Sequence, residues 1–231
     1  MNYPKVKFKI NKELDKKTAW QFLNVKEAGI DFGKSILVVH PELSKMNTLK
    51  NKKDKKEYIN KYFDGYYKKY GKMLANDLII VEKEWCLIKN EFFEVVDQIF
   101  YDYPWPKGRY IGYMSTLNCN VVFWKNKEWQ VFAWLPDKYR EIIVHEMLHF
   151  IFVDYFFKKI KNKKLREQWW TIAEVFNTVI INTPAFKKLI KPGKELGYPE
   201  HRILAAKMKK EWKKTKNIDQ WIKKFSIVVK E

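Results

Sequence analysis

The stretch His145-Glu146-Met147-Leu148-His149 constrains this chain more than any other. Two of the four histidines stand four residues apart, with a glutamate directly after the first. The pattern carries metal chemistry only on a helix, where positions i and i+4 share a face and both imidazoles converge. Glu146 then lies about 100° round from His145, able to reach water at a bound metal without being a ligand. The flanking residues supply such a helix. Pro136 closes the segment before it and Asp137 is a candidate N-cap. From about Lys138 to Lys159, Ile142, Ile143, Leu148, Ile151, Phe152 and Tyr155 line the apolar faces.

A third ligand is expected downstream. Lys158 to Lys164 is polar and long enough to turn the chain, and Leu165 to Asn182 follows as a second apolar helix. Glu174 is embedded there between Ala173, Val175 and Phe176, where an unpartnered carboxylate is expensive. At 1.5 Å per residue, both His149 to the turn and the turn back to Glu174 are roughly 15 Å. An antiparallel helix pair therefore returns Glu174 to the level of His149. His145, His149 and Glu174 would leave one position open, the arrangement of a catalytic zinc site. A structural zinc wants four protein ligands, usually with cysteine, and Cys86 and Cys119 are not nearby in sequence. Asp154 faces elsewhere on its helix, Glu167 is too close to the turn, and His201 lies beyond Pro184, Pro192 and Pro199. Asn177, one turn after Glu174, is either a partner orienting a histidine or a helix-surface amide.

At 231 residues and 46% hydrophobic content the chain can bury a real core. Its formal charge of +19 invites a nucleic-acid reading. Only Arg109, Arg140, Arg166 and Arg202 among the 46 basic residues are arginine, and readers of bases and phosphates favour arginine's fork. Nucleic acid is therefore expected only as a nonspecific basic contact. No run approaches the roughly 18 apolar residues that span a bilayer, so no membrane partner is expected. The N-terminus shows no signal peptide, and two thiols without a C-x-x-C pair suggest a reducing compartment. The expected location is cytoplasmic.

Taken in order, Val6, Phe8 and Ile10 predict a short strand. Thr18 is a candidate cap for a helix from Ala19 to Ala28, stopped by Gly29. Ile36 to Val39 predicts a strand, and His40 a structural or surface histidine. Lys50 to Lys56 is a loop or a helix start. Tyr58, Tyr62, Phe63, Tyr66, Tyr70, Met73 and Leu74 predict a core-facing helix, with a second near Asn90 to Tyr101 ended by Pro104 and Pro106. Tyr110 to Leu117, Val121 to Trp124 and Trp129 to Trp134 predict an antiparallel meander. Ile203 to Phe225 predicts a basic amphipathic helix or helix pair. The expected class is α+β: a small antiparallel sheet packed on the His145 helix and an antiparallel Glu174 helix. Residues 1–105 form a mostly helical N-terminal region, and 106–231 the core with a C-terminal helical segment.

These residues resemble the gluzincin group of zinc metallopeptidases, with His145-Glu146-x-x-His149 on one helix and Glu174 on the next. The short spacer resembles the compact minigluzincins. In that group an aspartate often follows the glutamate ligand by four residues; here that position is Thr178. The resemblance covers about Tyr110 to Asn182. It implies a zinc-dependent metallopeptidase that takes peptide or protein substrates and uses Glu146 as general base. It also implies an edge strand, Trp129 to Trp134 or Val121 to Trp124, that binds extended substrate. A Tyr or His after the glutamate helix would stabilise the oxyanion, and Tyr198 and His201 are the candidates, although that turn also has a purely structural reading. Some compact relatives lay their own C-terminal segment over the cleft. Two other readings stand beside this one: a DNA-associated SprT-like protease, which would want a third histidine, and a regulatory module with a degenerate metal site. The sequence shows no oligomer interface.

Overall fold

A computed structural model of the chain describes residues 2–190 and 197–228, with side chains through Phe225. The class is α+β, and the chain forms two compact units. The sheet unit comprises Lys5–Glu84 and Arg109–Tyr139. The helical unit comprises Met1–Pro4, Trp85–Gly108 and Arg140–Glu231. The units interleave along the sequence and do not divide near residue 105, because the N-terminal strand belongs to the sheet formed by residues 111–132.

In the sheet unit, four strands run in the order β1-β4-β6-β5: β1 Lys7–Ile10, β4 Ile111–Ser115, β6 Glu128–Phe132 and β5 Val122–Phe123. β1 pairs parallel to β4 and β4 parallel to β6, and only β5 with β6 is antiparallel. The sheet is thus mixed, not the antiparallel meander expected. All five residues of β6 are buried, as for a strand covered on both faces. β6 is internal, so Trp129 to Trp134 is not an edge; β5 is. At Gly112 a Cβ would meet the Phe8 ring at 2.7 Å and the Trp129 ring at 3.2 Å, so only glycine fits there.

Two helices precede the long one. α1, Lys12–Phe22, is capped by Asn11, whose side chain accepts from the Leu14 N–H at 3.1 Å. Thr18, expected as a cap, is instead buried within α1 and donates to Gln130 Oε1 at 3.0 Å. Ala28 and Gly29 take positive φ between the two-residue strands β2, Lys26–Glu27, and β3, Ile30–Asp31. Asp31 then caps α2, Phe32–Val39, so Ile36 to Val39 is helical. A short apolar run does not distinguish helix from strand, and the cap decides it.

α3 runs unbroken from Lys52 to Phe100, one helix of 49 residues where two were expected. Gly65 and Gly71 lower helix propensity without ending it. Tyr101 and Asp102 stop it in the left-handed conformation before Pro104, and the Asp102 N–H bonds the Asp97 carbonyl. His40 is buried and bridges the Tyr62 hydroxyl and the Thr116 carbonyl, each at 2.9 Å, confirming a structural histidine. Asp15 is buried too and gathers five donors: Ser115 Oγ (2.6 Å), the Thr116 N–H (2.8 Å), Thr116 Oγ1 (2.9 Å), Tyr67 OH (2.8 Å) and Gln130 Nε2 (2.8 Å). It ties α1 to α3, to β6 and to the end of β4.

In the helical unit, α4 covers Tyr139–Lys159. The expected second helix is broken at Gln168 into α5, Lys163–Glu167, and α6, Trp169–Ile181. α7, Pro184–Leu189, follows, then α8, Arg202–Thr215, and α9, Ile218–Val228, joined through a left-handed Lys216. Phe176 is the hub of this core. Its ring stacks on Phe152 at 4.3 Å and meets Phe100 at 5.7 Å and Trp221 at 5.5 Å edge-on. Burying such a ring contributes about 1.5–3 kcal/mol. Tyr3 adds the N-terminus: its ring stacks on Phe93 at 4.4 Å and its hydroxyl donates to Asp97 at 2.6 Å. No helix among the described residues is long and apolar enough to cross a membrane.

Candidate metal centre

α4 and α6 bring three donors together. His145 Nε2 and His149 Nε2 stand 3.0 Å apart. Glu174 Oε1 lies 3.2 Å from His149 Nε2, and Oε2 lies 3.4 Å from His145 Nε2. One turn on, Asn177 Nδ2 donates to the His145 main-chain carbonyl at 2.7 Å. Residue numbers rise along α4 as they fall along α6, so the two helices are antiparallel here, which is what returns Glu174 to the histidines.

This donor set fits a metal ion. Ligand atoms of a tetrahedral zinc with bonds of about 2.0–2.1 Å stand roughly 3.3 Å apart, and these three stand 3.0–3.4 Å apart. Two nitrogens and one carboxylate oxygen suit a borderline divalent ion such as zinc. Glu174 and His149 are almost wholly screened from solvent, at 5% and 1% exposed, while the His145 side chain keeps 16% exposure. The His145 Nδ1, Glu174 Oε2 and Glu146 Oε2 atoms are buried without hydrogen-bond partners, a costly state for polar atoms.

Burial and the surrounding carboxylates shift the two imidazoles in opposite directions. Burial pulls His145 down, but the Glu174 hydrogen bond and the charges of Glu146, Glu174 and Glu141 overcome it and raise it to about 9. Burial lowers His149, and Glu174 does not compensate. Burial alone pushes Glu174 up, yet His149 and His145 together hold it below the usual carboxylate range. Burial raises Glu146 to about 8, with Glu174 adding and His145 opposing.

The other expected site residues fall as follows. Asn177 is fully buried and is no surface amide, and it grips the backbone of His145, not an imidazole. His201 and Tyr198 lie together against Trp170, with ring centroids 5.3 Å and 5.0 Å from it. His201 is 9% exposed with Nδ1 unpartnered. Burial lowers its pKa while the charge of Glu174 opposes, which sets His201 beside the cluster without making it a ligand. Tyr198 is half-buried. Sequence reading missed Trp170, whose signal was its place four residues before Glu174. Thr178, where the resembled family often has aspartate, packs against Gly197. A Cβ at Gly197 would come 2.7 Å from Thr178 Oγ1, and Gly197 has φ +142°, so glycine is required for the turn that carries Tyr198 and His201.

No protein-family model, curated protein or solved structure matches the chain.

Proposed function

We propose that this protein is a zinc-dependent metallopeptidase. The observation that carries the reading is the convergence of His145, His149 and Glu174 at metal-ligand separations, with Glu146, whose buried Oε2 has no hydrogen-bond partner, directly after His145. These three residues would hold the ion. Zinc bound there supplies Lewis acidity, polarising a substrate carbonyl and acidifying water.

The chain's own groups do the rest. Glu146 is the general base that takes a proton from water and returns it to the leaving amine. Burial that raises its pKa to about 8 brings it near neutrality, where a group can both accept and release a proton. His201 and Tyr198 are the candidate donors to the developing oxyanion, and the charge of Glu174 acts on His201. Asn177 fixes the turn of α4 that bears His145.

Zinc analysis and hydrolysis of an unstructured protein substrate test the reading, using wild type and Glu146→Gln. The wild type is expected to hold about one zinc per chain and to cleave. The variant is expected to hold the same zinc with a rate down by about 10²–10⁴. A chain that binds no zinc, or a variant that cleaves as fast as wild type, refutes it.

A further inference from the structure

α3 turns an apolar row toward solvent. Met73 is 53% exposed, Ile80 37% and Leu87 62%. The residue after each of them, Leu74, Val81 and Ile88, is buried. Both sets recur every seven residues, so periodicity alone does not tell which one faces out, and burial does. Asn76 and Glu84 stand between the three apolar residues, and Lys69 and Glu91 stand at the two ends. At 100° per residue all seven fall within about 80° of one another round the helix. Six are exposed and Glu84 is partly buried. They share one unbroken helix, so their alignment is the geometry of that helix itself. Apolar residues scattered singly over a surface need no partner, but a row repeating every turn or two is the seam of a helix pair.

We infer that this row is the contact between two copies of the chain, paired antiparallel about Ile80. The spacing commits the surface to a second copy. From Ile80 the row steps by 4, 3 and 4 residues in each direction, to Glu84, Leu87 and Glu91 one way and to Asn76, Met73 and Lys69 the other. A two-fold axis at Ile80 therefore sets each member against a member of the same row in the second copy, the isologous arrangement of a symmetric dimer. Ile80 meets Ile80, Met73 meets Leu87 and Asn76 meets Glu84. Lys69 meets Glu91 at both ends. The charges favour the same direction. Lys69 and Lys72 are exposed toward one end of the row, and Glu91 and Glu94 toward the other. Antiparallel helices bring these opposite charges together, whereas parallel helices would set like against like. The row is about 33 Å long. A contact of that size is below the standard interface, so the expected dimer is weak, with a Kd on the order of 10 μM. None of these residues belongs to the candidate metal centre.

Analytical ultracentrifugation of the full chain over a range of concentrations reads the pairing, with a reducing agent present because Cys86 and Cys119 are free thiols. The wild type is expected to pass from monomer to dimer. Leu87→Lys is expected to weaken the dimer at least about tenfold. Ile203→Lys makes the same kind of change on α8, at an apolar residue that is 77% exposed, and is expected to leave the dimer as it was. Lys69→Glu and Glu91→Lys are each expected to weaken the dimer. The two together are expected to restore it, because the exchanged charges again face each other, and they do so only across antiparallel helices. Lys69 and Glu91 are both exposed, so this arm holds even if Leu87→Lys disturbs the fold, which circular dichroism of each variant monitors. A chain that stays monomeric up to about 100 μM leaves the row to some other partner and overturns the inference. A dimer that the folded Leu87→Lys variant keeps, or a double charge variant that associates no more tightly than the single ones, overturns it as well.

Discussion

Asn177 holds the main-chain carbonyl of His145, with Nδ2 2.7 Å from the oxygen. The contact joins the helices that bear the three candidate ligands, one turn from where Glu174 meets His149, and its Asn177 end is fully buried. Asn177→Ala removes a polar link between α4 and α6 that lies outside the ligand set. The expected cost is about 1–3 kcal/mol in urea unfolding. Zinc affinity is expected to fall about 10–100-fold, as for other groups that orient metal ligands. Competition with a zinc-chelating dye measures the second effect.

In the metal-free protein the stability contributed by protonated His145 and Glu146 should be lost as pH rises. His145 is raised from 6.5 to about 9 and Glu146 from 4.5 to about 8. Both folded values lie above the unfolded ones, so both contributions are complete in mild acid. Glu146's is lost between about pH 4.5 and 8, and His145's between about pH 6.5 and 9. Glu174 is lowered, so its contribution has the opposite sign and is lost as pH falls below about 4.5. Zinc must displace the His145 proton, so zinc binding near neutrality should release protons, and affinity should climb toward pH 9. Urea titrations across pH, with proton release in weak buffer, check both signs.

His201 and Tyr198 can be separated by kinetics. If His201 donates to the oxyanion, His201→Ala lowers kcat by about 10²–10³ with little change in KM. Tyr198→Phe then has a small effect. The reverse pattern assigns the role to Tyr198, and a rise in KM alone in both variants assigns neither.

Asp15 predicts a large stability effect with no change in metal binding. Asp15→Ala strands five donors inside the sheet unit. The expected loss is at least about 3 kcal/mol. A loss under about 1 kcal/mol would show that the donors find other partners. Zinc content of the folded variant is the companion measurement.

The cluster of His145, His149 and Glu174 was legible because its geometry is local. A four-residue spacing fixes two imidazoles on one helix face, and equal helix lengths on either side of a polar turn bring Glu174 back. The break at Gln168 did not disturb this, since it lies before the ligand. Asn177 was legible as a position but not as a contact, because spacing does not say whether an amide meets a ring or a carbonyl. The sheet was less legible. Nothing near Phe8 signals a partner at Gly112, and a parallel pair leaves no hairpin turn in the sequence to mark it. Ile36 to Val39 misled for another reason: four apolar residues suit strand and helix alike, and Asp31, four residues earlier than Ser35, held the deciding cap. The long α3 was read as two because its stripe was followed only to Leu74 and again from Phe92; Val81, Trp85 and Ile88, all buried and at steps of three, four and seven, carry it across the interval.

The parallel pairing of β1 with β4 has a consequence for synthesis. Phe8 leaves the ribosome about a hundred residues before Gly112, its partner in register. During that interval β1 has no neighbour, and α1 and α3 emerge with Asp15 still lacking Ser115, Thr116 and Gln130. At about 5–20 residues per second the wait is several seconds or more. Loop closure over that distance is slow relative to the helices, which form from local contacts. The nascent chain therefore carries preformed helices and an unclosed sheet until residues 111–132 appear, and that window is when it is open to chaperones and to aggregation.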